Sequence, residues 1–337
     1  MKALICERPG ELVYTDKIEP RQKEGNTIIK IERIGICGTD LHAYEGTQPY
    51  FEYPRILGHE LAGEIVSTDD NNYKTGEKVT FIPYFNCGIC IACRNGLPNC
   101  CVTMKVCGVH VDGGMAEYLS IPSSSLIHGE GLNADELALI EPLAIGAHSV
   151  TRAGIRAGEF VFVVGAGPIG LGIMEFARIA GAEVIALDIN ENRLMFCKNN
   201  LDIKYTINGT NENVMERLKE ITHNDMPTVV IDATGSRKAI NDGFLYMAHG
   251  GRYVLVGLQK GEISFYHPEF HKREGNLMSS RNATRRDFEH VISCIKNDLV
   301  KPLHYITHRA LFSEIKNQFS NWLRRESGVI KAMTRMD

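Results

Sequence analysis

Cys37 stands in the run Gly35-Ile36-Cys37-Gly38-Thr39-Asp40-Leu41-His42, His59 and Glu60 follow Gly58, and Glu141 precedes Pro142. A thiolate, an imidazole and a carboxylate in widely separated turns suit a metal site that keeps one position open for chemistry. A second group, Cys87, Cys90, Cys93 and Cys101, has the spacing C-x2-C-x2-C-x7-C, close enough to close a tetrahedron around zinc. Charge separates the two. Four thiolates leave a zinc site doubly negative, which disfavours binding and ionising an alcohol. One thiolate, one carboxylate and a neutral imidazole leave it neutral and more Lewis-acidic. The four-cysteine group therefore reads as structural and the Cys37 group as reactive. Cys100 could replace Cys101 if the lobe shifted register.

A third pattern is Gly165-Ala166-Gly167-Pro168-Ile169-Gly170, a G-x-G-x-x-G that follows an apolar strand, opens a helix and precedes a second strand ending at Asp188. Gly165 permits the tight turn, Gly167 lets the backbone approach a pyrophosphate, and Gly170 lets helix and sheet pack closely. Pro168 and Ile169 open the helix, whose free N–H groups stabilise the diphosphate. Asp188 should accept from the adenosine ribose hydroxyls and repel a 2′-phosphate by on the order of 1–4 kcal/mol near 4 Å. No arginine directly follows it, and Arg193 lies further along as a cofactor-binding candidate. NAD is expected over NADP.

These residues need scaffolds of two kinds. The first 140 or so residues read as short strands broken by glycine and proline, at 27–31, 62–66, 77–82 and 116–121, an irregular β domain with the cysteine lobe inserted. From about residue 144, strands at 160–164, 183–187, 229–231 and 253–256 alternate with helical patterns such as 168–180, as in a parallel sheet covered by helices. Further helices are expected at 285–296 and 312–324, in a tail that either domain could own. A chain of 337 residues predicts two domains. The net charge of −4 argues against a nucleic-acid or membrane-surface role. No apolar run approaches the roughly 20 residues that span a bilayer, and the start lacks the apolar core of a secretory signal. The cysteine clustering then points to metal-bound thiolates in a reducing cytoplasm.

Taken in order, GICGTDLH, GHE at 58–60, the cysteine lobe, Glu141-Pro142 and GAGPIG resemble the zinc-containing alcohol dehydrogenases of the medium-chain dehydrogenase/reductase family. Glu141, where the alcohol-specific members carry a cysteine ligand, is similar to the polyol and sugar dehydrogenase branch. The stretches 36–60, 108–114 and 267–284 resemble members that act on sugar acids. The resemblance implies an α/β chain. Its GroES-like, β-rich catalytic domain would be formed by 1–143 with 288–337, with a structural zinc lobe at about 84–104. Its Rossmann domain, a doubly wound parallel sheet, would be 144–287. It implies two zincs per chain, one catalytic on Cys37, His59 and Glu141 with Glu60 beside them as a neighbour or exchangeable ligand, and one structural on Cys87, Cys90, Cys93 and Cys101. NAD would take the hydride, Thr39 would pass the proton on, and His42 would deliver it to solvent. The expected reaction oxidises a secondary alcohol of a sugar acid, L-galactonate first, with a polyol or threonine as alternatives. A dinucleotide-binding sensor without turnover is the rival from another class, and the open metal site speaks against it. Arg55, His110, Lys272 and Arg281 are the candidates for holding the substrate carboxylate. A homodimer or homotetramer is expected.

Overall fold

The computed structural model describes residues 1–49 and 51–337. The chain divides into two compact units, Met1–Glu141 with Ala283–Asp337, and Pro142–Asn282.

The strand Asn26–Ile36 is the spine of the first unit. Its isoleucines Ile29, Ile31 and Ile34 are buried in the core with Leu4, Phe81 and Phe319, and β-branched side chains suit such a pleated surface. One edge of the spine pairs antiparallel with Glu60–Thr68. The other pairs first with Tyr118–Pro122 and then with Lys331–Arg335. Lys78–Phe81, Leu126–His128 and Ile306–Leu311 complete a seven-stranded sheet. The register sets Gly35 opposite Glu60 and Ile36 opposite Ala332. The end of the spine, the start of the Glu60 strand and the last strand of the chain thus meet at one corner. The tail packs here because Phe312, Ile315, Phe319 and Trp322 fill the same core, the last three from the helix Ile315–Trp322. Glu141 and Pro142 lie in no turn. Both are inside the helix Ala134–Ala153, although a proline in a helix interior removes a backbone hydrogen bond and costs about 3 kcal/mol.

The second unit is a six-stranded, wholly parallel sheet. Its spatial order is Tyr205–Asn208, Glu183–Asp188, Phe160–Val164, Val229–Asp232, Arg252–Leu255, Asn276–Ser279. The first three run in reverse of chain order and the rest follow it, which is the doubly wound arrangement with its switch point beside Phe160–Val164. Phe162, Ile185, Val230 and Tyr253 form its core. No helix among the described residues is long and apolar enough to cross a membrane.

Candidate metal and dinucleotide sites

The spine strand ends at Ile36 and hands over directly to the helix Gly38–Glu45, with Cys37 as the residue before its first turn. Asp40, in that turn and 1 % exposed, does two things with its carboxylate. Oδ2 accepts the Cys37 N–H at 3.0 Å and Oδ1 accepts the Gly58 N–H at 3.0 Å. One buried side chain therefore ties the Cys37 loop to the Gly58-His59 turn. Gly58 has φ +93°, and a Cβ there would crowd Met115, so only glycine turns the chain comfortably at this point. The ligand atoms of Cys37, His59 and Glu60 all lie within 4.8 Å of one another. Both His59 and Glu60 are buried.

Glu60 is engaged by Lys331, whose Nζ donates to Oε1 at 2.5 Å, to Oε2 at 2.6 Å and to the Ile36 carbonyl at 3.2 Å. Gly35 makes room for this pair, since a Cβ there would lie 2.3 Å from Glu60 Oε2. Glu141 is also buried, and its Oε1 accepts a hydrogen bond from the buried Tyr84 hydroxyl. It does not fall within the 4.8 Å set formed by Cys37, His59 and Glu60. Proximity thus favours Glu60 as the third donor where the sequence favours Glu141. Hydrogen bonding points the other way, because an oxygen already bonded to an ammonium is a poor ligand.

The electrostatics call for a cation. Burial alone would keep His59 neutral, but Cys37, Asp40 and Glu141 outweigh it and hold its pKa well above the usual imidazole range. Burial likewise opposes the charge on Lys331, and Glu60 and Cys37 raise its pKa in spite of it. Burial pushes the Glu141 carboxyl up to about 7, with Glu60 adding to the effect and His59 opposing it. Burial and then Glu141 drive the Tyr84 phenol well above its ordinary value. The buried His59 Nδ1 has no hydrogen-bond partner among the described residues and sits 3.8 Å from Asp40 Oδ1. A ring nitrogen facing a carboxylate is the usual second contact of a metal-ligating histidine. Sulfur, nitrogen and oxygen donors of this kind fit zinc.

Thr39 is half-buried in the same helix and its hydroxyl makes no hydrogen bond among the described residues. His42 is exposed, its Nδ1 3.2 Å from Glu45 Oε2 and 3.2 Å from Thr47 Oγ1. Of the four carboxylate-binding candidates, Arg55 and His110 lie in the first unit and Lys272 and Arg281 in the second. Arg55 is 3.6 Å from Asp112, and its buried Nε has no hydrogen-bond partner among the described residues. His110 Nδ1 accepts the Val106 N–H. The Lys272 ammonium is bonded to Glu269 on an exposed short helix, and Arg281 is exposed.

The ligand atoms of Cys87, Cys90, Cys93 and Cys101 form a second set within 4.8 Å, and the exposed Cys100 is outside it. The lobe hangs from the paired strands Tyr84–Phe85 and Lys105–Val106. The Ile89 N–H, the Thr103 hydroxyl and the Cys90 N–H bring the Cys87 thiol down to about 6, ready to bind metal as thiolate. Ile89 and Val102 are 76 % and 69 % exposed, so a hydrophobic core does not hold this lobe.

In the second unit Gly165 has φ +100°, and a Cβ on Gly170 would fall 1.8 Å from the Gly165 carbonyl oxygen. Gly167 precedes the helix Pro168–Ile179. Asp188 closes its strand with Oδ2 accepting from Ala166 N at 2.7 Å and Oδ1 from Asn190 N at 2.8 Å. Its carboxylate therefore fixes the glycine turn. Arg193 Nη1 stands 3.9 Å from Asp188 Oδ2.

Sequence reasoning passed over Asp40, Tyr84 and Lys331. The three-residue spacing from Cys37 to Asp40, a helix-capping signature, was the one available signal. Nothing local marks Tyr84 or Lys331.

Residues 23–130 match the alcohol dehydrogenase GroES-like domain and 168–297 the zinc-binding dehydrogenase domain. The chain is 41 % identical to an L-galactonate-5-dehydrogenase of Escherichia coli K12, covering 99 % of this chain and 98 % of that protein. It is 31 % identical to a sorbitol dehydrogenase of Halalkalibacterium halodurans, covering 93 % and 94 %. Its fold superposes with a TM-score of 0.93 on the crystal structure of an E. coli CFT073 alcohol dehydrogenase complexed with NADH, at 29 % identity and 99 % coverage of both chains.

Proposed function

The chain belongs to the zinc-binding alcohol dehydrogenases with a GroES-like domain, and from that premise we propose that it oxidises a secondary alcohol of a sugar acid with NAD, converting L-galactonate to the keto acid D-tagaturonate. The observation that carries the reading is the meeting of Cys37, His59 and a buried carboxylate within 4.8 Å, with the other imidazole nitrogen, Nδ1, turned toward Asp40. The similarity to an L-galactonate dehydrogenase directs the choice of substrate.

Cys37, His59 and Glu141 hold the catalytic zinc, and Cys87, Cys90, Cys93 and Cys101 the structural one. Bound zinc supplies the Lewis acidity that lowers the pKa of a substrate hydroxyl, and bound NAD takes up the hydride. Asp40 fixes the Cys37 and His59 backbones and orients the imidazole. The Thr39 hydroxyl takes the substrate proton and passes it on. His42, exposed at the surface, releases it to solvent. Gly165, Gly167, Pro168, Ile169 and Gly170 bind the pyrophosphate, Asp188 the adenosine ribose, and Arg193 lies beside them. Arg55, with its unpartnered buried Nε, is the first-unit cation best placed to receive a carboxylate. The exposed edge strand Asn276–Ser279, with Leu277 at its surface, suits pairing with a second copy in a homodimer or homotetramer. A reducing cytoplasm would keep the cysteines out of disulfides.

The test is NADH absorbance with purified protein against aldonates, polyols and threonine, alongside metal analysis. L-galactonate turnover with about two zincs per chain, the number of donor sets among the described residues, supports the proposal. Faster turnover of sorbitol would move the substrate to the polyols, and no turnover of any alcohol would sink the reading.

A further inference from the structure

Two buried carboxylates, Glu60 and Glu141, are candidates for the metal that Cys37 and His59 would hold, and their hydrogen bonds differ in a way that distance does not capture. Lys331 is 2 % exposed and uses its three protons on Glu60 Oε1, Glu60 Oε2 and the Ile36 carbonyl. Both oxygens of Glu60 are thereby committed to an ammonium. Among the described residues, Glu141 has only Oε1 engaged, by the hydroxyl of Tyr84. Its Oε2 is left to bind. Tyr84 is 6 % exposed, so water competes little for that bond. A neutral phenol takes one lone pair and leaves the carboxylate its charge. An ammonium on both oxygens removes most of the donor strength.

We propose that Tyr84 is a positioning residue that makes Glu141, and not Glu60, the carboxylate ligand of the catalytic metal. Tyr84 fixes the direction of Glu141 by holding Oε1, while Lys331 withholds Glu60. The strand Tyr84–Phe85 that carries this phenol also opens the four-cysteine lobe. The inference rests on the reading of Cys37 and His59 as ligands. Partners of this kind are worth about 10–100-fold in metal affinity.

The experiment compares wild type, Tyr84→Phe, Glu141→Gln and the double variant. Zinc release to a chelator is followed by metal analysis, and the visible absorption of the cobalt-substituted proteins is recorded. Tyr84→Phe should release one of its two zincs roughly 10–100-fold faster than wild type and shift the cobalt bands, while the cysteine lobe keeps its zinc. The double variant should release it no faster than Glu141→Gln alone, because both changes act on one ligand. Wild-type release and unshifted bands in Tyr84→Phe overturn the proposal, as do additive effects in the double variant. Simultaneous release of both zincs from Tyr84→Phe means a general loss of structure and overturns it as well. A single zinc in wild type would instead remove the underlying reading of the metal site.

Discussion

Replacing Asp40 by asparagine isolates the clamp that joins the Cys37 loop to the His59 turn. The shape is kept, but one of the two carboxylate oxygens becomes an NH2 group. In either amide orientation, one of the Cys37 and Gly58 N–H groups, both now 3.0 Å from an oxygen, faces a donor. A bond to a charged acceptor is worth about 1.5–3 kcal/mol, and a buried polar group left unsatisfied costs about 1–3 kcal/mol. These two figures overlap, so the expected loss is about 2–4 kcal/mol. At roughly 2–4 °C per kcal/mol for a folded unit of about 150–250 residues, the size class of the first unit, its Tm should fall by about 5–15 °C. The imidazole also loses the carboxylate 3.8 Å from Nδ1, which should weaken zinc at that site by about 10–100-fold. Differential scanning calorimetry and zinc titration of the metal-stripped protein measure the two effects separately. A Tm within about 1 °C of wild type together with unchanged zinc affinity would refute the clamp.

Three further outcomes follow from the geometry. Zinc must displace the protons held by His59 and by Glu141, whose pKa is raised to about 7. An acid with a raised pKa keeps its proton up to that pH, so affinity at the Cys37 site should fall as pH drops below 7, by roughly tenfold per unit for each proton displaced. Calorimetric zinc titrations at pH 6 and pH 8 read this, and a flat profile would contradict it. Gly35→Ala places a Cβ 2.3 Å from Glu60 Oε2. Forcing the buried Glu60–Lys331 pair apart should cost about 3–5 kcal/mol in thermal or urea unfolding. Cys101→Ser should lower bound zinc by one per chain and Cys100→Ser should not, because only Cys101 joins the other three sulfurs; equal losses in the two variants would reopen the register of the lobe.

Much of this was legible in the residues because it is local. The glycine pattern 165–170 declares a turn whose carbonyl and helix approach too closely for a side chain, and the structure places a Gly170 Cβ 1.8 Å from the Gly165 oxygen. The helix Arg285–Lys296 and the strand Phe160–Val164 follow from apolar periodicity over a few turns and were read with those bounds. Glu141 was read less well. The sequence puts its carboxylate in a turn, yet Glu141 lies inside the helix Ala134–Ala153, whose apolar side chains are buried. The four cationic candidates for the substrate rest on charge and on place along the chain, which say nothing of neighbours. Folding gives Lys272 to Glu269 and sets Arg55 against Asp112 while leaving its Nε bare.

The amino-acid sequence by itself determined the kinds of donor present, the four-sulfur lobe and the dinucleotide turn, since each depends on residues near one another along the chain. Only the tertiary structure decided what surrounds the reactive metal. Lys331 reaches Glu60 because the last strand of the chain pairs beside the spine, and Tyr84 meets Glu141 only when a strand and a helix distant in sequence pack together. A buried charge takes its behaviour from whichever partner folding brings within about 3 Å, and that partner leaves no trace in the spacing of residues.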